Sequence, residues 1–159
     1  LALGGTRKQF MISAVTISLI YLIAATILLN LLHLIGSKVL HNGYSFHMAN
    51  ILGDPGTAMY FWVDFLWLFI LFGLGMFAQA IYFNLGAIRT LILGGILILA
   101  GVTIYFFTDL TLLFEFIVRE HLMFLHLFAL LSLILIGLSY FMMRNAPIEQ
   151  GDRKIFRSY

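Results

Sequence analysis

The chain has 159 residues, of which 62% are hydrophobic and only 10% are charged. A soluble domain carries about a quarter of charged residues, so the composition excludes an ordinary soluble enzyme. Cysteine is absent, which excludes disulfide relays, thiolate metal sites and nucleophilic cysteine chemistry.

Four long apolar runs fill most of the chain, at residues 11–35, 57–83, 90–108 and 121–143. Each reaches the roughly 20 residues that a helix needs to cross a hydrocarbon core of about 30 Å. Strand-like alternation is absent, and a bilayer hides the polar backbone only in helices or closed barrels. The sequence therefore predicts an all-α, polytopic membrane helix bundle: one transmembrane domain over residues 1–159 with four spans and no room for a soluble catalytic domain.

The basic residues lie mostly on one side of this predicted topology. With four spans, both termini and the turn at residues 84–89 share a side, and lysine and arginine gather on the cytoplasmic side of membrane proteins. We therefore expect a multi-pass protein of the cell membrane with both termini cytoplasmic. Seven of the nine basic residues lie on the shared side, namely Arg7, Lys8, Arg89, Arg144, Arg153, Lys154 and Arg157.

Asn30, Asp64 and Gln79 are polar side chains within the predicted spans that should need partners. Asp64 lies about two turns, or roughly 10 Å, inside the outer end of the second span. A carboxylate at mid-membrane costs about 2.5–3.5 kcal/mol on insertion scales, so Asp64 should face protein or a water-filled cavity. It could contact a proton or substrate pathway, or form a structural bond to Asn30 or a histidine. Gln79 follows Gly73 and Gly75 and could bond across a close helix contact.

Turn signals separate the spans. The stretch Gly-Asp-Pro-Gly at residues 53–56 predicts that the second helix begins just after it. A tight turn is expected at residues 84–89. On the third span, Gly94 and Gly101 are seven residues apart and share a face, which we expect to pack closely on another helix.

The connector at residues 109–120 is too apolar for a free loop and too short to span a membrane, which predicts a re-entrant or interfacial helix on the outer side. Glu115 and Arg119 have the spacing of a helical ion pair. With Glu120 they form either a solvated patch or an outer gate. The tail at residues 144–159 has no apolar period and is expected on the cytoplasmic surface.

The five histidines all fall in the outer half of the predicted topology and permit a metal or haem interpretation. No compact ligand motif occurs among them, so hydrogen bonding near the interface is the alternative that we favour. The sequence predicts no catalytic residue and no metal site. A phosphate-binding loop is missing too, and nothing indicates nucleic-acid binding. The histidines are His33, His41, His47, His121 and His126.

The stretch Leu-Gly-Gly-Thr-Arg-Lys-Gln-Phe at residues 3–10 ends against the first span. It resembles a segment of type-2 ATP-binding-cassette exporter permeases, which follows the second of six helices and belongs to the cytoplasmic coupling region. The order of spans, outer loop, short turn and outer helical element is similar as well. The resemblance implies that this chain is the C-terminal four helices of a six-helix subunit. A start without methionine agrees with that expectation.

The family resemblance implies a permease subunit that couples ATP hydrolysis by a separate nucleotide-binding subunit to export of an amphipathic peptide or lipid-like cargo. The implied partners are that cytoplasmic ATPase, a second permease subunit and membrane lipid, with ATP and Mg on the ATPase and no cofactor in this chain. Two other functions stay open: a membrane accessory protein without transport, and a four-helix haem or metal redox protein. The implied coupling residues are Gly5, Thr6, Arg7, Lys8 and Phe10.

Overall fold

A computed structural model describes residues 7–38, 48–52 and 56–144 of the chain. Within these ranges the regular secondary structure is all helical and contains no strand, as predicted. The elements, in chain order, are α1 (Arg7–Lys38), a short 3₁₀ helix (Met48–Leu52), α2 (Thr57–Leu85), α3 (Ala87–Phe107), α4 (Thr111–Arg119) and α5 (His121–Arg144).

Four of these helices are long and apolar enough to cross a membrane, which is the make-up of a multi-pass membrane protein. They correspond to the four predicted runs, and α2 begins at Thr57, directly after the predicted turn. Arg7, Arg89 and Arg144 lie where α1 begins, where α3 begins and where α5 ends. We call that end of the bundle the basic end.

The turn between α2 and α3 is shorter than the six residues expected. Gly86 alone separates the two helices, with a φ of 78° that favours glycine over residues with a side chain. The Asn84 side chain donates hydrogen bonds to the carbonyls of Ala80, at 2.8 Å, and of Met142, at 3.3 Å. The second of these bonds ties the turn to the end of α5.

The core of the fold is the contact between α2 and α5, which run parallel to one another. Trp62 of α2 meets His126 of α5, and Asn84 meets Met142 near the basic end. On α5 the fully buried Leu125, Ser132 and Ser139 recur every seven residues. A repeat of seven keeps one face of each helix against its partner, as in a coiled coil. On α2 the matching buried residues are Val63, Leu66, Ile70, Gly73, Met76 and Ala80.

The closest approach in this contact is at Gly73. A Cβ atom added there would lie 2.6 Å from the Cβ of Ser132 and 3.0 Å from its Cα. The Ser132 hydroxyl donates a long hydrogen bond, 3.4 Å, to the carbonyl of Ile70. The expectation that glycine allows a close helix contact is confirmed at Gly73, whereas Gly75 has open space around it.

Helix α3 lies at the edge of the bundle and buries none of its residues. A Cβ added at Gly94 or Gly101 would meet nothing within 4 Å. The expectation that this glycine face packs on another helix is therefore wrong for the described part of the chain. Both sides of α3 are apolar, and the spacing of two glycines does not say whether lipid or protein covers them.

The predicted short helix between the third and fourth spans is present as α4. Its first residue, Thr111, donates its backbone N–H to the Asp109 carboxylate at 3.0 Å. Hydrogen bonds from the side chain and backbone of Thr111 lower the pKa of Asp109, since they favour the charged carboxylate. Glu120 separates α4 from α5, so α4 is held next to the beginning of the last span.

Candidate functional site: a polar seam between the first two spans

Polar side chains line the contact between α1 and α2 in the half of the bundle away from the basic end. On α1 they recur at positions 26, 30 and 33, and on α2 at positions 60, 64 and 67. This spacing of four and three residues places each set on one face of its helix. We call the six residues the polar seam: Thr26, Asn30, His33, Tyr60, Asp64 and Trp67.

The centre of the polar seam is a hydrogen bond between two helices. Asn30 Nδ2 donates to Asp64 Oδ2 at 2.8 Å, and the same nitrogen donates to the carbonyl of Thr26 at 3.0 Å. Asp64 is buried, with 9% of its surface exposed. The prediction that Asp64 faces protein and that Asn30 binds a neighbouring helix is confirmed.

Thr26 also contributes to the buried part of the seam. Its side chain is fully buried, and its hydroxyl donates to the carbonyl of Leu22 at 2.8 Å. A hydroxyl that bonds to its own helix can be buried at little cost. Thr26 therefore fills the contact beside Asn30 without competing for the Asp64 carboxylate.

Toward the end of α2 that begins at Thr57, the seam continues through aromatic contacts. The rings of His33 and Tyr60 lie 5.0 Å apart. The Tyr60 hydroxyl donates to Asn50 Oδ1 of the 3₁₀ helix at 2.8 Å. Tyr60 thus connects α1, α2 and the short helix that precedes α2, where Ala49 is fully buried.

On its other side the seam meets α5 at Trp67 and His121, whose rings are 6.3 Å apart. His121 is only 2% exposed. Neither of its ring nitrogens, nor the indole Nε1 of Trp67, has a hydrogen-bond partner among the residues described. Buried polar atoms normally have hydrogen-bond partners, so the burial of these three unpaired nitrogens is energetically unfavourable for the core.

His126 has a different environment from His121. Trp62 Nε1 donates to His126 Nε2 at 3.2 Å, and the other ring nitrogen, Nδ1, lies 2.7 Å from the carbonyl of Leu122. Because Nε2 accepts a hydrogen bond, the proton of a neutral ring must lie on Nδ1, which then donates to Leu122. His126 therefore makes the kind of hydrogen bond expected for a histidine near the interface.

The described histidines do not converge on one site. His33, His121 and His126 each pair with a different aromatic residue of α2. In the part of the chain that the structure describes, no three histidine, aspartate or glutamate side chains are grouped as metal ligands would be. His41 and His47 lie outside the described residues.

Gln79 and the residues of α4 do not join the polar seam. Gln79 is exposed, so the expected bond across a close helix contact is not made within the described chain. Glu115 and Arg119 form the predicted ion pair, at 2.9 Å, on the exposed surface of α4. Glu120 is exposed as well. All three charged residues are therefore exposed next to the beginning of α5, and both a solvated patch and an outer gate stay predictions.

The residues predicted to couple to an ATPase lie at the beginning of the chain. Gly5 and Thr6 fall outside the described residues. Arg7, Lys8 and Phe10 belong to the first turn of α1. The polar seam lies at the other half of the same helix, so α1 joins the two predicted functional regions.

The seam provides a carboxylate, an amide and aromatic rings inside an apolar bundle, without a nucleophile activated by a base. This chemistry suits hydrogen bonding and charge contact within a membrane better than bond-breaking catalysis. Asn30 and Asp64 could be predicted from their depth, but Trp67 and His121 could not, because aromatic residues near span ends are common interfacial anchors. The sequence signal that could have placed Trp67 in the seam is its spacing, three residues after Asp64.

No family model, curated protein or solved structure matches the chain.

Proposed function

We propose that this chain is a permease subunit of an ATP-driven exporter in the cell membrane, with both termini cytoplasmic. The observation that carries the proposal is α4, a nine-residue helix between the third and fourth spans. A re-entrant or interfacial helix at that place in the chain is what the resemblance to type-2 permeases implies. If residues 109–120 formed an ordinary loop, the resemblance would depend mainly on the short basic motif at residues 3–10.

The polar seam supports a role in a pathway across the membrane. A buried carboxylate in an apolar bundle marks a functional contact by default, because its burial is costly. Asp64 lies on α2 at its contact with α1, and α1 begins at the proposed coupling residues. In this proposal, ATP-driven movement at the basic end reaches the seam through α1.

The partners in this proposal are a cytoplasmic ATP-binding-cassette ATPase, which holds ATP and Mg, and a second permease subunit. The cargo would be an amphipathic peptide or a lipid-like molecule, since the helices are apolar and rich in aromatic residues. An accessory protein without transport would share the fold but would not bring an ATPase with it. The presence of an ATPase therefore separates the two functions.

The test is purification of the tagged full-length protein from its native membrane in mild detergent, followed by quantitative mass spectrometry. We expect a stoichiometric ATPase subunit. The charge reversals Arg7→Glu and Lys8→Glu together should reduce its recovery at least about tenfold, because like charges across an interface cost several kcal/mol. Arg153→Glu with Lys154→Glu is the matched control, since it reverses two basic residues of the same predicted side.

One result would oppose the exporter function, and another would oppose only the assignment of the coupling residues. A pure preparation without an ATPase would favour an accessory protein. Equal recovery of the ATPase with both double variants would leave the exporter function in place but remove Arg7 and Lys8 from the coupling contact. A visible absorption spectrum on the same preparation tests the redox alternative, because a bound haem would colour it.

A further inference from the structure

A groove between α1 and α5 lies near the basic end of the bundle, away from the polar seam. It encloses a cavity of about 200 Å³ lined by Ile12, Val15 and Thr16 of α1 and by Ile136 and Tyr140 of α5. The Thr16 hydroxyl donates to the carbonyl of Ile12 at 2.8 Å, so it is satisfied within its own helix. The groove is therefore apolar apart from the Tyr140 hydroxyl.

The described part of α1 is buried more deeply in the half away from the basic end than in the half that lines the groove. Going along α1 from its start, Leu22 is the first buried side chain of those described, and the polar seam follows it. The described side chains of α1 before Leu22 are exposed or half-buried, and the cavity lies between this part of α1 and α5. Both lining helices are long and apolar enough to be membrane spans, so a groove between them would lie at the depth of the acyl chains of one leaflet.

On each of the two lining helices, the groove residues lie along one helix face, which we call a groove stripe. In the sequence, each stripe ends in a basic residue. On α1, Lys8 precedes Ile12 by four residues and Val15 by seven, which is the spacing of one helix face. On α5, Arg144 follows Tyr140 by four residues and Ile136 by eight. One helical turn is about 5–6 Å, so both basic positions lie just beyond the groove, at the depth where lipid headgroups begin. Tyr140 lies between the apolar and the basic positions, as amphipathic rings do at an interface.

We propose that this groove binds an anionic glycerophospholipid of the leaflet at the basic end. One acyl chain lies between α1 and α5, against Val15 and Ile136, and the phosphate lies between the positions of Lys8 and Arg144. The general preference for basic residues on the cytoplasmic side explains how many basic residues lie at the basic end. It does not explain why Lys8 and Arg144 each lie on the same helix face as the groove residues. The site does not depend on the proposed exporter function, but it shares Lys8 with the proposed coupling contact, and the lipid titration therefore uses the protein without an ATPase.

Native mass spectrometry of the full-length, delipidated protein in detergent tests the proposal by titration with phosphatidylglycerol and with phosphatidylcholine of the same chains. We expect tighter binding of phosphatidylglycerol. Lys8→Gln with Arg144→Gln should weaken it about 25-fold, since each basic residue near a membrane surface contributes about fivefold. Arg89→Gln with Arg153→Gln removes the same charge on the same predicted side, and should weaken binding by about twofold at most because neither residue is within one helical turn of a groove residue in the sequence.

A second pair of variants tests the acyl-chain contact. Ile136→Phe fills the groove and should reduce phosphatidylglycerol binding, whereas Ile134→Phe, on the exposed side of α5, should not. If the Ile136→Phe variant without lipid has a lower melting temperature than the parent protein, Val15→Phe is used in its place. Equal binding of the two lipids, or equal binding by the matched variants, would overturn the proposal. Failure of both lipids to bind would also overturn it, because another part of the full-length protein would then cover the groove.

Discussion

Substitution of Gly73 by alanine tests whether the α2–α5 contact has the close approach described above. The new Cβ would lie 2.6 Å from the Ser132 Cβ and 3.0 Å from both the Ser132 Cα and its carbonyl oxygen. All three atoms belong to the backbone of α5 or are fixed to it, so a side-chain rotation cannot relieve the clash. The helices must separate or slide.

The magnitude follows from a comparison with Gly75→Ala on the same helix. A Cβ at position 75 meets nothing within 4 Å. Alanine is more favourable than glycine in a helix by about 0.8–1.0 kcal/mol, and this gain is common to both variants. The difference between them therefore isolates the overpacking, which costs about 1–3 kcal/mol. We expect Gly73→Ala to be less stable than Gly75→Ala by that amount.

The assay is equilibrium unfolding in mixed micelles with increasing dodecyl sulfate, followed by tryptophan fluorescence. Trp67 is a suitable reporter because its ring contacts His121 and Phe124 of α5. Ser132→Gly should restore part of the stability in the Gly73→Ala background, because it removes the nearest atom but leaves the Cα and carbonyl oxygen. Equal free energies of unfolding for the two alanine variants would refute the close contact.

Two further predictions concern the polar seam and the beginning of α4. Asn30→Leu removes the donor to Asp64. The free energy of unfolding should fall by about 0.6–1.7 kcal/mol, from the average to the largest value for hydrogen bonds between membrane helices. An unchanged free energy of unfolding in the same micelle titration would contradict the bond. Asp109→Ala removes the acceptor of the Thr111 N–H, and hydrogen exchange at Thr111 should become faster than in the parent. The pKa of Asp109 is lowered below its ordinary value of 3.8, because the hydrogen bonds from Thr111 stabilise the charged carboxylate. These bonds should therefore also weaken as the pH falls through that lowered pKa and the carboxylate becomes protonated. Exchange in α4 that is independent of both changes would rule out a role for Asp109.

The sequence was sufficient to predict the spans because the cost of exposing backbone to lipid leaves helices as the solution for long apolar runs. The start of α2 could be predicted as well, since Gly-Asp-Pro-Gly before Thr57 cannot continue a helix. The turn after α2 was predicted too long. A positive φ at Gly86 reverses the chain within one residue, and a sequence does not reveal which glycine takes that conformation.

The centre of the polar seam was predictable for a related reason. Asn30 and Asp64 are costly in hydrocarbon, so each had to find a partner, and few candidates lay at the same depth. Their bond at 2.8 Å confirms that reasoning. Gln79 is equally polar but is exposed, so the same argument failed there. A single polar residue within a span indicates the need for a partner but does not say that the partner lies in the same chain.

The position of α3 could not be predicted because lipid tails are as apolar as the side chains of the helix. Helices in a bilayer associate through close packing and hydrogen bonds, and hydrophobicity alone gives them no preference for one another. Helix α2 has both means of association, with Gly73 against Ser132 on α5 and Asp64 bound to Asn30 on α1. Helix α3 has neither within the described chain, since nothing approaches Gly94 or Gly101 and no side chain is buried. The specific contacts of this bundle therefore centre on α2, and a change that breaks the Asn30–Asp64 bond should weaken the contact of α1 with α2 while leaving the α2–α5 pair intact.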